Sequence, residues 1–138
     1  MIIDIHAHIV DAAYMAQLRD ALNLVPEETG DGKTLYRHDG YTIAWERPDM
    51  YDIDHRLREM DRKGIDVRVL SLSTPNVYCW PEAAQIAVAR DINDATAALC
   101  RAHPDRFVGL GSLPLADVGA SLAELDRMID ASERTGRR

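Results

Sequence analysis

Apolar and polar positions alternate from the first residues of the chain: Met-Ile-Ile-Asp-Ile-His-Ala-His-Ile. Period-two alternation predicts a strand over 2–9, with Ile3, Ile5, Ala7 and Ile9 on one face and Asp4, His6 and His8 on the other. Apolar Ala12, Met15, Leu18 and Leu22 then recur at helical spacing over 11–24, and a polar stretch with Gly30 and Gly32 reads as a loop over 27–33. Thr34 to His38 and Tyr41 to Trp45 flank Asp39-Gly40, a dipeptide suited to a tight hairpin turn. Ile53, Leu57 and Met60 share a helical face over 53–63, which Gly64 ends. A strand rich in Val, Ile and Leu follows over 65–73. Pro81 suits the first position of a helix running to about Ala102, with Ile86, Ala89, Ile92, Ala95 and Leu99 along one side and His103-Pro104 at its end. A third strand is predicted over 107–113. Asp117 can cap a last helix carrying Leu122, Leu125, Met128 and Ile129.

This order of strands and helices predicts an α/β fold: three βα units on a parallel sheet, with a small β-hairpin inserted after the first strand. The expected organisation is a single partial domain over 1–138, with the inserted helix and hairpin at about 11–50. A closed eight-stranded barrel takes about 250 residues. At 138 residues the chain is expected to leave such a barrel incomplete.

Composition narrows the class of partner. Hydrophobic residues make up 46% and charged residues 28%, as in a globular protein with a real core. A net charge of −7 and a pI near 5.1 argue against nucleic acid or an anionic membrane as partner. Cys79 and Cys100 form no Cys-x-x-Cys pair and suit packing in a reducing compartment. Met1 runs straight into the first strand and no stretch has the length of a membrane span, so no secretory leader and a cytoplasmic location are expected.

Candidate chemistry begins with His6 and His8. Two residues apart on a strand, they project the same way, so their rings could grip one divalent metal ion. Functional groups of parallel α/β sheets gather beyond the strands' carboxyl ends, where 73–80 and 112–114 are also expected. Arg47 is a candidate for a substrate carboxylate, with a solvated loop arginine as its alternative. Trp80 suits an apolar pocket wall or, equally, a staple at a helix start. Cys79 reads as packing. His38 is expected on the hairpin surface, His55 on a helix face, and His103 at the sheet's opposite end.

Asp4-Ile5-His6-Ala7-His8, Arg58 to Asp66, Ser71 to Trp80 and Pro104 to Pro114 together resemble the amidohydrolase-related metal-dependent proteins. Within them the likeness is to the aminocarboxymuconate semialdehyde decarboxylase branch, and it covers most of 1–130. The resemblance implies the first part of a TIM-type (β/α)8 barrel and a divalent metal, with zinc expected. It further implies a small carboxylated or aromatic substrate, decarboxylation or hydrolysis, and a homo-oligomer. By the same likeness His6 and His8 match the first-strand metal ligands, and Arg47 answers to a carboxylate-binding arginine. The remaining metal ligands and an acid/base histidine are expected beyond Arg138, so little turnover is expected from these residues alone. The polar ending 131–138 stands where a fourth strand is expected, as a truncation or frameshift would leave it. Two other readings stay open: a non-catalytic fragment or oligomeric assembly module, and another metal-dependent hydrolase such as a phosphoesterase.

Overall fold

The computed structural model describes residues 1–134, of which 132–134 are described by backbone only. The element order is β1 (Ile3–Ile9), α1 (Ala12–Leu22), β2 (Val25–Glu28), β3 (Thr34–His38), β4 (Tyr41–Glu46) and α2 (Pro48–Tyr51). It continues with α3 (Ile53–Lys63), β5 (Val67–Leu72), α4 (Glu82–Ala102), β6 (Phe107–Gly109) and α5 (Val118–Arg134). β1, β5 and β6 form a parallel sheet in the order β1-β5-β6, and β2, β3 and β4 form a separate antiparallel sheet. α5 continues through 131–134, the polar ending that stands where the resemblance would begin a fourth strand; 135–138 lie outside the described residues.

Local chemistry sets the element ends. Asp11 caps α1 by accepting from the Tyr14 amide at 2.6 Å, and Asp52 caps α3 by accepting from the His55 amide at 2.9 Å. Gly64, at φ 67°, takes the left-handed turn that stops α3, and the Ile65 amide closes it onto the Met60 carbonyl at 2.9 Å. Pro81 stands as the residue before α4, one position earlier than its expected place inside the helix. Asp39 and Gly40 both adopt positive φ, 48° and 81°, as the tight turn between β3 and β4 requires.

The inserted ribbon has three strands where a two-stranded hairpin was expected. Val25-Pro26-Glu27-Glu28 pairs antiparallel with β3, although all four residues are exposed and no hydrophobic alternation marks them. The third parallel strand is shorter than expected, ending at Gly109. There β6 runs against α4 so closely that a Cβ on Gly109 would lie 2.7 Å from the Thr96 methyl carbon. Beyond it the chain is held by Asn93, which accepts from the Ser112 amide at 2.8 Å and donates to its carbonyl at 2.9 Å.

Two clusters form the interior. The larger joins α1, the ribbon, the chain after β5 and α4 through residues such as Tyr14, Leu18, Tyr36, Trp80 and Ile92. The smaller lies between β1, α3, β5 and β6, with Ile9, Met60, Leu70 and Phe107 buried in it. The β1 expectation needs correction here. Ile9 is buried and Ala7 half-buried, but Ile3 is 45% and Ile5 77% exposed. β1 is an edge strand, and only its second half is covered.

Candidate metal centre

His6 and His8 leave β1 on the same side, as the alternation predicts. Their ring centroids lie 4.8 Å apart at an interplanar angle of 79°, and the two Nε2 atoms face each other at 3.2 Å. Two metal–nitrogen bonds of about 2.0–2.1 Å meeting between a right and a tetrahedral angle span roughly 2.8–3.4 Å. The pair therefore has the bite of two ligands to one ion. His8 is half-buried, and its Nδ1 lies 3.4 Å from the Ser71 hydroxyl on β5, the residue paired with it in the sheet. His6 is exposed, and among the described residues its ring meets that of His8.

Asp4 is engaged elsewhere. Its carboxylate accepts from Arg68 Nε at 3.0 Å and from the His6 amide at 3.2 Å. Among the described residues no group of three or more His, Cys, Asp or Glu side chains is placed to hold a metal ion. The donor set fits half of a coordination shell.

The pair sits in a depression of about 180 Å³ whose wall includes Trp45, Arg47, Arg56 and Arg68. Asp4 and Asp49 are the acidic residues of that wall, so three guanidiniums stand against two carboxylates. Arg47 Nε lies 3.3 Å from Asp49 Oδ1 with its side chain half exposed, leaving donors free to meet a ligand. Arg47 thus joins the histidines. Its place follows from the ribbon, which ends at β4 and turns into α2 beside β1; Met50 there accepts from the Val10 amide at 3.2 Å.

Trp80 is placed elsewhere, in the larger core, 5.7 Å from the Tyr14 ring and with its carbonyl bonded to Gln85. The indole at the depression is Trp45, 41% exposed, with Lys33 Nζ 5.6 Å from its ring centre. Sequence reasoning missed Trp45 and Arg56. Trp45 read only as a hairpin residue, although it stands two positions before Arg47. Arg56 carried a signal: it falls on the apolar stripe of α3, between Ile53 and Met60. His103 packs edge-on against Phe107, and His38 lies at the ribbon turn beside Asp39. Burial pushes the Cys79 thiol up to about 11, which keeps it protonated at neutral pH. A larger, mostly apolar cavity of about 500 Å³ between α1 and α4 contains no histidine.

A mixed α/β protein with a parallel sheet, and a His-x-His pair closing its first strand beside an arginine-rich wall, is the class these features define. The chain belongs to the amidohydrolase family: residues 3–136 match the family described as Amidohydrolase. It is similar to gamma-resorcylate decarboxylase of Rhizobium radiobacter, 41% identical over 78 residues, covering 56% of this chain and 24% of that protein. It is also similar to 2-amino-3-carboxymuconate-6-semialdehyde decarboxylase of Caenorhabditis elegans, 33% identical over 122 residues, or 84% of this chain and 30% of that protein. Among solved structures it resembles dihydroxybenzoic acid decarboxylase from Polaromonas sp. JS666, with bound manganese and the inhibitor 2-nitroresorcinol. That match has TM-score 0.68 and 27% identity over 93% of this chain and 34% of the other. The chain spans about a quarter to a third of the length of these relatives. Among the described residues no helix is long and apolar enough to cross a membrane.

Proposed function

We propose that these residues form the first-strand half of a divalent-metal site in a non-oxidative decarboxylase acting on a small carboxylated aromatic compound. The observation that carries this reading is the 3.2 Å separation of the two Nε2 atoms. His6 and His8 hold the ion, and imidazole donors suit zinc, while a relative carries manganese. Bound there, a divalent ion would polarise a substrate oxygen and stabilise charge developing on it. Arg47 receives the substrate carboxylate through its guanidinium fork. Trp45 offers an aromatic wall to a flat ring, the part that Trp80 was expected to play.

A direct test follows a hydroxylated benzoate by calorimetry in the presence of Mn²⁺. Binding by the wild-type chain is expected to weaken about 10-fold or more in Arg47→Ala, the loss of one charge-assisted pair. Equal binding by both would remove Arg47 from the site.

A second reading, assembly through a partner surface, draws on the exposed Ile3 and Ile5 of β1 and Val108 and Leu110 at β6. Both strands are edges of the parallel sheet. A second copy of the chain is the expected partner. Light scattering is expected to give a mass above one chain, and a stable monomer at all concentrations would dismiss it.

A further inference from the structure

Arg56 is the largest fully buried side chain, 1% exposed, and it lies deeper than the half-buried Ile53 and Leu57 that flank it on α3. A guanidinium there loses its hydration, which is costly without a close counter-charge. Among the described residues no carboxylate lies within ion-pair distance of it. Burial and the neighbouring Arg68 draw its pKa down to about 10, opposed by Asp49 and Asp4, so it stays charged at neutral pH. Among the described residues one side-chain hydrogen bond holds it: Nη2 donates to the His8 carbonyl at 2.6 Å, while its buried Nε has no partner there.

The strand it grips is irregular where the histidines begin. β1 slips register against β5 between Asp4 and Ala7, so the ladder leaves the His6 segment less tightly specified. Regular pairing resumes at Ala7↔Leu70, His8↔Ser71 and Ile9↔Leu72. His8 is therefore held twice, at its carbonyl by Arg56 and at its ring by Ser71.

We propose that Arg56 is a positioning residue. It anchors the main chain of His8 so that this Nε2 stays in place for a shared ligand, while His6 adjusts to meet it. The anchoring stands on the coordinates of α3 and β1; its consequence for metal rests on the proposed metal centre.

The test compares the 138-residue chain with Arg56→Met, which fills similar space without donors, and Arg56→Lys, which keeps a cation and donors. In the metal-free chains, amide exchange over His8 to Val10 is expected to quicken about tenfold or more in Arg56→Met relative to Val69 to Leu72, as for losing one hydrogen bond to a charged group. Affinity for Mn²⁺ is expected to fall about 10–100-fold, the effect typical of an outer partner of a metal ligand. Arg56→Lys is expected to recover most of both. Unchanged exchange at the β1 end in a folded Arg56→Met chain would overturn the proposal, and so would an Arg56→Lys chain no better than Arg56→Met. If Arg56→Met does not fold, Arg56→Lys against wild type decides by the same exchange ratio: near-wild-type protection supports the anchor, and protection lost evenly along β1 and β5 overturns it. If wild type takes up no Mn²⁺, the metal centre fails as a reading, and the exchange comparison still judges Arg56.

Discussion

The two interior clusters do different work. The larger gathers residues from α1, the ribbon and α4 around Tyr14, Leu18 and Trp80. The smaller has four buried residues beneath a parallel sheet whose edge strands expose Ile3, Ile5 and Val108. Yet the histidine pair stands on this second region, at the end of β1. The larger cluster and the proposed metal centre thus lie in different regions of the chain. The ribbon links the two, because its β3 and β4 put Tyr36 and Ala44 into the larger core while Trp45 and Arg47, at and just after the end of β4, face the depression.

The largest expected effect comes from removing Trp80. Trp80→Ala should cost about 3–5 kcal/mol in urea unfolding, since it empties the contact between α1 and the start of α4. A small loss would show that the larger cluster does not dominate stability. Met60→Ala should cost about 2–3 kcal/mol and loosen mainly the parallel sheet, read as faster amide exchange in β1 and β6 with the ribbon still protected. Uniform loosening of both regions would erase the distinction.

The smallest effect lies beside the sheet, between α4 and α5. Glu124 is buried, and hydrogen bonds from Arg127, then Asn93, hold its carboxyl below the ordinary range against the cost of burial. A lowered folded pKa stabilises the fold above the ordinary carboxylate value, and that stabilisation is lost as pH falls through the lowered one. Glu124→Gln should therefore flatten the acid limb of stability between neutral pH and pH values below about 4. An unchanged acid limb would remove this network from the account.

Much of the fold was legible because local chemistry and tertiary packing agreed. Gly64 and Asp39-Gly40 acted as their types predict, and the stripe of α3 fell near its expected position; the stripe of α4 did not, since Gln85 and Val88 are buried there while Ile86 is exposed. β2 was hidden because Pro26 and two glutamates carry no strand pattern; pairing to β3 alone makes it a strand. Ile5 looked like a core residue because alternation reports a face, not whether anything covers it. That His6 and His8 project from the same side of β1 was legible from their spacing. Trp80 was favoured over Trp45 because it adjoins an expected site segment, and only the packing of α1 against Trp80 shows that it belongs to the core. Arg56 was overlooked because an arginine on a helix is ordinarily solvated; its position between Ile53 and Met60 was the available clue.

The central claim is that His6 and His8 act as one clamp, and metal titration of the intact chain tests it most directly. Calorimetry with Zn²⁺ and Mn²⁺ is expected to show one ion per chain, with affinity reduced about tenfold or more in both His6→Ala and His8→Ala, because each removes one of two ligands. Affinity in both variants equal to that of wild type would contradict it.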